Sequence, residues 1–280
     1  MEKPALEFIE EPYSQNEVKD MMAEFRDKGY VILPDVLKRE TVDPFREQLE
    51  NSLINRGMGY TIPHESPHYI HCTYAPRGRQ VLPDALSHSQ AKPKPCLHTT
   101  IVVIQKDGDA SYIPEWHKDR EPDGMPGNDY HYPMDVFLAF YFEDITDEHG
   151  PTLVMPGSHR DVSMTPFCEE LPVDTIYCRK QDALLIDQRT WHRGTPRTAE
   201  GTRFLIVYGI YALPFYYGHQ AHMPVSQRNA WIHATNSNDR VFFGGPFAPP
   251  DRQAWNEIGK ELDEKEKSDA PLVTYARSNY

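Results

Sequence analysis

A β-sandwich or jelly roll with helices confined to its flanks is the architecture that this 280-residue sequence predicts. Three observations carry that expectation. Prolines number 25 against 16 glycines, about 9% where roughly 5% is usual, and proline sits at strand edges and turns rather than inside helices. The middle of the chain carries short apolar runs with Pro, Gly and Asp between most of them. The alternating strand–helix pattern of a parallel sheet is absent, as is a glycine-rich phosphate loop.

The elements follow in order. Ser14-Gln-Asn-Glu17 is a capping box that opens a helix with Val18, Met21, Met22 and Phe25 on one stripe. Gly29 ends it, and Tyr30–Leu33 is a short strand stopped by Pro34. A second amphipathic helix is expected over 39–55, with Val42, Phe45, Leu49 and Leu53 inward and Gly57 closing it. Strands are expected at Thr99–Gln105, Val136–Phe142, Thr152–Met155, Ala183–Ile186 and Arg203–Tyr211. Residues 253–267 read as a surface helix with Glu261/Lys265 and Asp263/Lys267 pairs. No linker divides the chain, so a single domain over 1–280 is expected. It has helical decoration at about 14–57, a strand-rich core at about 95–215 and a C-terminal tail.

The composition excludes several functions. A net charge of −13 with no basic run argues against nucleic acid or an anionic membrane as partner. The longest apolar stretches, such as Val136–Phe142, fall far short of the ~20 residues that span a bilayer. The acidic start lacks an apolar signal region and the Ser-Asn-Tyr end is not a peroxisomal address. Cys72, Cys96, Cys168 and Cys178 show no Cys-x-x-Cys spacing and read as free thiols. A cytoplasmic location is the resulting expectation.

Thirteen histidines offer several groupings. His64, His68 and His71 have helical spacing, but Pro63 and Pro67 break the helix that would align them. His219 and His222 lie in an aromatic loop, and His131 has no ligand partner nearby in sequence. Two His-x-Asp triplets remain, His117-Lys-Asp119 and His159-Arg-Asp161. On a strand, residues i and i+2 share a face, so an imidazole and a carboxylate can meet at one ion. A third ligand must return from elsewhere, and His192 is the candidate. If the strands at 183–187 and 203–211 form a hairpin centred near 197–198, His192 and Arg203 become cross-strand neighbours. Arg203 opens an apolar strand, where a cation is costly unless paired with a protein carboxylate or an anionic ligand. Its planar guanidinium suits a carboxylate. His117, Asp119 and His192 together make a 2-His-1-carboxylate set with three coordination positions open.

Four segments then carry a resemblance: Phe25–Pro34, Trp116-His-Lys-Asp119, His149–His159, and Trp191-His192 with Arg203 eleven residues on. In this order and spacing the chain resembles the phytanoyl-CoA dioxygenase-like family of iron(II)/2-oxoglutarate-dependent dioxygenases. The resemblance implies a mainly β, double-stranded β-helix core (jelly-roll or cupin-like) with flanking helices. It implies Fe(II) held by His117, Asp119 and His192 as metal and catalytic residues, with 2-oxoglutarate and O2 as co-substrates. It also makes Arg203 the clamp on the far carboxylate and leaves His159-Arg-Asp161 structural or pocket-lining. Thr152 sits where related natural-product oxygenases hydrogen-bond the co-substrate, and Thr195 is a second candidate. Where many fungal relatives carry Gln three residues before the first ligand, this chain has Pro114, and either Gln105 on the preceding strand takes that role or nothing does. A carboxylate at Asp119 argues against halogenation, since halogenases of the family have Ala or Gly there.

The expected reaction is therefore hydroxylation, desaturation or rearrangement at an unactivated C–H bond of a small molecule. A natural-product intermediate or amino-acid derivative fits the aromatic stretches at 59–74 and 215–223, which are expected to form a lid. A coenzyme A thioester fits poorly without a basic patch for its phosphates. A homodimer is a family-level expectation. Two other classes share these ligands: a jelly-roll protein that binds a metal or small acid without turnover, and a zinc hydrolase.

Overall fold

The computed structural model describes residues 3–55, 60–87, 94–106, 115–120, 132–161, 163–166, 171–212 and 224–244. In chain order the elements are α1 (Gln15–Lys28), β1 (Tyr30–Leu33), α2 (Arg39–Ser52), β2 (Ile54–Asn55) and β3 (Tyr60–Thr61). Two 3₁₀ turns (Pro67–Tyr69, His71–Tyr74), α3 (Pro76–Leu86), β4 (Pro95–Lys106) and β5 (Asp135–Phe140) follow. After a 3₁₀ turn at Asp147–His149 come β6 (Thr152–Val154), β7 (Asp174–Ile176), β8 (Ala183–Asp187), β9 (His192–Arg193) and β10 (Thr202–Ala212). The helices α4 (Val225–His233) and α5 (Ser237–Gly244) complete the set.

Local chemistry explains the start. The Ser14 hydroxyl accepts from the Glu17 amide while the Glu17 carboxylate accepts from the Ser14 amide, satisfying two orphan donors of α1. At the other end Gly29 turns left-handed (φ 84°) and its N–H bonds the Phe25 carbonyl. Met21, Met22 and Phe25 face inward.

Two antiparallel sheets face one another. The major sheet has the order β1-β8-β5-β10-β4, and the minor sheet β7-β6-β9. Period-two alternation sorts the major sheet into two faces. Val136, Leu138 and Phe140 of β5, with Phe204, Ile206, Tyr208 and Ile210 of β10, pack against α1, α2 and α3 through Met22, Phe25, Phe45 and Leu82. The alternate residues Phe137, Ala139, Leu184 and Ile186 join Val154 and Ile176 in a second core between the sheets. The protein is thus mainly β with flanking helices, as the proline-rich, strand-punctuated sequence predicts.

Several expectations need correction. The second helix stops at Ser52, because Leu53 turns extended and residues 54–55 pair with 60–61 instead. Strands 183–187 and 202–212 do not form a hairpin. β5 lies between them, paired to both, so the chain crosses from the minor to the major sheet between residues 193 and 202. His192 pairs with Val154, and Arg203 pairs with Gln105. The described part of the 59–74 stretch is not a lid. Tyr69, Ile70 and Cys72 are buried in the helix-side core, and the Tyr69 hydroxyl donates to the Thr100 carbonyl. The 215–223 loop, the 253–267 helix, His131, His219, His222, Cys168 and Pro114 lie outside the described residues. The described cysteines, Cys72, Cys96 and Cys178, are buried and unbridged.

Candidate metal centre

His117 and His192 are brought together by the backbone. Each donates its N–H to the other's carbonyl at 3.0 Å, forming an isolated antiparallel bridge. His117 therefore belongs to a single-residue bridge rather than a strand. The N–H groups of Asp119 and Arg120 both donate to the Gln188 carbonyl, at 3.0 and 3.1 Å, which ties the 115–120 segment to the turn before His192.

That turn is itself tightly specified. Asp187, Gln188, Arg189 and Thr190 are all buried. The Asp187 carboxylate accepts from the Arg189 amide and guanidinium, and the Thr190 amide donates to the Asp187 carbonyl. The Asp187 amide and the Thr190 hydroxyl both donate to the Gly29 carbonyl at the end of α1. A Cβ on Gly29 would lie 2.3 Å from the Thr190 hydroxyl and 2.5 Å from His159 Nδ1. Gly29→Ala is expected to destabilise the protein by about 2–4 kcal/mol, from left-handed strain of about 1–2 kcal/mol plus the clash. Denaturant unfolding measures it, and a loss below about 1 kcal/mol contradicts this packing.

The ligand atoms of His117, Asp119 and His192 all lie within 4.8 Å of one another, the one such His/Cys/Asp/Glu group among the described residues. His117 Nε2 is 3.8 Å from one Asp119 oxygen, and His192 Nε2 is 3.2 Å from the other. The Nδ1 atoms are committed elsewhere, His117 to the Glu115 carbonyl at 2.7 Å and His192 to the Thr190 carbonyl at 3.0 Å. With Nδ1–H donated to a carbonyl, each ring presents Nε2 as its lone pair, the tautomer a metal needs.

The two imidazoles differ electrostatically. Burial and the neighbouring His192 lower the pKa of His117, partly opposed by the Glu115 carbonyl and Asp119. Burial also acts to lower that of His192, but its bond and charge contact with Asp119, with the Thr190 carbonyl, outweigh burial and raise it. Two neutral imidazole nitrogens and one carboxylate fit a divalent first-row metal with open positions.

Arg203 lies at the start of β10. Its guanidinium is buried and donates to the Gly150 carbonyl, while Nε has no hydrogen-bond partner among the described residues. No carboxylate lies within ion-pair distance of it among those residues, although Glu143 and Tyr141 act on it through their charge. Burial pulls its pKa below the ordinary arginine value. A buried cation with an unspent donor is costly unless an anion arrives, which fits a carboxylate of 2-oxoglutarate. Arg197 is spent by contrast, donating to Glu143 at 2.7 Å and to the Ala199 and Glu200 carbonyls. Arg193 stacks over Trp116.

Thr152 shares a 2.6 Å hydrogen bond with the buried Tyr141 hydroxyl, whose pKa burial pushes up to about 12 and which Arg203's charge partly offsets. Tyr141 is a residue the sequence alone did not single out, since it reads as one more apolar position of the 136–142 run. The Thr195 hydroxyl donates to the Pro151 carbonyl at 2.6 Å. The backbone of Gln105 is paired with Arg203, and its side chain lies outside the described residues.

Several other described histidines have structural partners. His159 is buried against the end of α1, bonded to the Arg26 carbonyl, with burial lowering its pKa to about 4. It belongs to that packing rather than to the His117–His192 cluster, as the sequence reading expected of the second triplet. His68 bonds Ser66, His71 bonds the Leu6 carbonyl and His64 packs on Tyr69.

The sequence model of the phytanoyl-CoA dioxygenase (PhyH) family matches residues 54–205. No curated protein matches the chain. Among solved structures it is similar to HygX from Streptomyces hygroscopicus with nickel, 2-oxoglutarate and hygromycin B bound. That likeness has 18% identity and a TM-score of 0.53, covering 70% of this chain and 88% of that one. It is similar to EvdO2 from Micromonospora carbonacea var. aurantiaca complexed with 2-oxoglutarate, at 16% identity and TM-score 0.52, covering 74% and 94%. It is also similar to SnoK, a non-haem alpha-ketoglutarate-dependent carbocyclase from nogalamycin biosynthesis, at 15% identity and TM-score 0.51, covering 72% and 87%. At such identities these likenesses establish a shared fold. With the family match spanning more than half of its length, the chain belongs to the phytanoyl-CoA dioxygenase family, whose enzymes use Fe(II), 2-oxoglutarate and O2.

Proposed function

We propose that this protein is an Fe(II)/2-oxoglutarate-dependent oxygenase that oxidises an unactivated C–H bond of a small organic molecule. The observation that carries the proposal is the convergence of His117, Asp119 and His192 within 4.8 Å, each Nδ1 already committed to a backbone carbonyl. In this reading His117 Nε2, His192 Nε2 and an Asp119 oxygen hold the metal. When bound, the iron with O2 and 2-oxoglutarate supplies the oxidising power, and hydroxylation consumes O2 and 2-oxoglutarate while releasing succinate and CO2.

The chain's own residues bind, orient and shield. The Gln188 carbonyl and the His117–His192 bridge fix the ligand backbone before any ligand arrives, so little rearrangement is needed on binding. Arg203 takes the far carboxylate of 2-oxoglutarate, with Thr152 beside it through Tyr141. Phe137, Ala139, Leu184, Ile186 and Val154 pack as an apolar core between the sheets, which keeps water out of that layer. Thr195 and Gln105 remain candidate contacts to the co-substrate. Thr152→Val is expected to raise the KM for 2-oxoglutarate about tenfold, the loss of one hydrogen bond to a charged group. An unchanged KM removes Thr152 from the site.

Metal binding needs both imidazoles neutral. His192 holds its proton to a higher pH than the ordinary 6.5, whereas His117 releases it lower. The apparent metal affinity is therefore expected to fall as pH drops through the His192 value, which lies above 6.5. Metal titration between about pH 6 and 8 checks this, and a flat profile contradicts it.

The two sheets are read as a double-stranded β-helix within one domain spanning 1–280, acting as a homodimer. The substrate is read as a natural-product intermediate or amino-acid derivative, the first supported by the neighbours with hygromycin B bound and from nogalamycin biosynthesis. Incubation with Fe(II), 2-oxoglutarate and air tests the reaction class by succinate formation. Hydrolytic activity with zinc, or tight metal binding without succinate, points instead to the hydrolase or the binding protein.

A further inference from the structure

The segment 117–120 alternates between the candidate centre and the protein. His117 and Asp119 contribute ligand atoms. Lys118, between them, donates Nζ to the Ser158 carbonyl at 2.9 Å. Arg120 reaches to the major sheet. Its Nε donates to Asp135 Oδ2 at 2.7 Å, and its Nη2 lies 2.6 Å from the same oxygen and also donates to the Tyr211 hydroxyl. Asp135 and Tyr211 are direct cross-strand partners on β5 and β10, and the guanidinium also sits 5.2 Å over the Tyr211 ring. The Asp135 carboxylate is 1% exposed, so this is a desolvated and directional grip.

Two consequences follow from elementary electrostatics. The Arg120 and Asp119 amides share the Gln188 carbonyl, so holding the Arg120 side chain also holds the backbone that aims Asp119. A guanidinium adjacent in sequence is the natural competitor for the Asp119 carboxylate, since arginine pairs strongly with carboxylates. Instead the Asp119 oxygens lie against His117 and His192, and the cation is taken by Asp135.

We propose that Arg120 is a positioning residue for the metal centre. Asp135 and Tyr211 anchor its guanidinium to the major sheet, which fixes the Asp119 backbone and keeps the cation off the carboxylate that would bind iron. This deepens the metal assignment above and rests on it. Residues that orient metal ligands typically change affinity by about 10–100-fold when replaced.

Co(II) binding by equilibrium dialysis, with the ligand-field absorption spectrum, tests the inference in wild type and in Asp119→Ala, Arg120→Lys, Asp135→Asn, Tyr211→Phe and Asp135→Asn/Arg120→Gln. Arg120→Lys keeps the charge but not the fork, and is expected to raise the Co(II) Kd about tenfold and alter the spectrum, with thermal stability near wild type. Asp135→Asn frees the guanidinium to capture Asp119 and weakens binding as well. Adding Arg120→Gln to it removes the competitor and recovers part of the affinity, which a purely structural role would not produce. Unchanged Kd and spectrum in Arg120→Lys, or a double variant weaker than Asp135→Asn alone, overturns the inference. If Asp135→Asn fails to fold, Arg120→Lys and Tyr211→Phe decide by the same readouts, and wild-type values in both overturn it. Co(II) binding that Asp119→Ala leaves intact overturns the metal assignment and this inference with it.

Discussion

Replacing Asp119 with alanine is expected to lower metal affinity by at least about 100-fold, roughly 3 kcal/mol, and to abolish succinate formation from 2-oxoglutarate. Asp119 supplies the one anionic ligand of the group, and two neutral imidazoles alone leave a divalent ion poorly compensated. The effect exceeds that expected of an orienting residue because a coordinate bond itself is lost. The variant also leaves His192 without the partner that raises its pKa, so the proton should leave His192 at lower pH, visible by NMR titration of the imidazole. Isothermal titration with Fe(II) under anaerobic conditions and a succinate assay give the two main readings. Retained affinity together with retained succinate removes Asp119 from the centre.

Arg203→Ala is expected to raise the KM for 2-oxoglutarate about 100-fold while leaving metal affinity near wild type. Loss of one partner of a buried charge pair costs about 2–5 kcal/mol, and Arg203 is buried with an unspent Nε. Arg197 cannot take over, because Glu143 and two carbonyls already hold its guanidinium. The variant leaves the Gly150 carbonyl without its donor, so a stability loss of about 1–3 kcal/mol accompanies the kinetic change. Arg203→Lys keeps the charge without the planar fork and should fall between the two. A wild-type KM in Arg203→Ala transfers the role to another cation, with Arg193 next in line beside His192.

The parts of the fold legible in the sequence were those specified locally. The Ser14/Glu17 box and Gly29 bracket α1 because capping is chemistry within four residues. The central strands are legible as apolar runs, each with at least one end displaced by a residue or more. What escaped depended on partners distant in sequence. Strands 183–187 and 202–212 are both apolar enough to neighbour any strand, and nothing in their own pattern says that β5 inserts between them. α3 buries Gly78, Val81, Leu82, Ala85 and Leu86 at helical spacing, but Gly78 and Pro83 within it are poor helix formers, and α4 buries Ser226, Gln227 and Arg228, so it shows no clean apolar stripe. The 59–74 stretch has aromatic content suited to a lid, yet its Tyr69 and Cys72 complete the helix-side core.

The candidate site divides along the same line. The His-x-Asp spacing and Trp191-His192 were readable, and the structure brings His117, Asp119 and His192 together. The expected link from His192 to Arg203 through a hairpin failed, although both residues kept their places as candidates by other routes. The groups that hold the ligands in place, the Glu115, Thr190 and Gln188 carbonyls, are backbone atoms with no residue-type signature. Tyr141 was hidden in an apolar run, and Arg120 followed Asp119 directly but acts through Asp135, fifteen residues away.

In the proposed function, His117, Asp119 and His192 with Arg203 make an iron- and 2-oxoglutarate-dependent oxygenase. The most direct test is succinate production by the purified protein under air, with Fe(II) and 2-oxoglutarate, in the presence and absence of a pool of small-molecule substrates. The predicted result is succinate that requires iron, rises with the pool and disappears in Asp119→Ala. No succinate with or without the pool, or equal succinate in Asp119→Ala, overturns the oxygenase assignment.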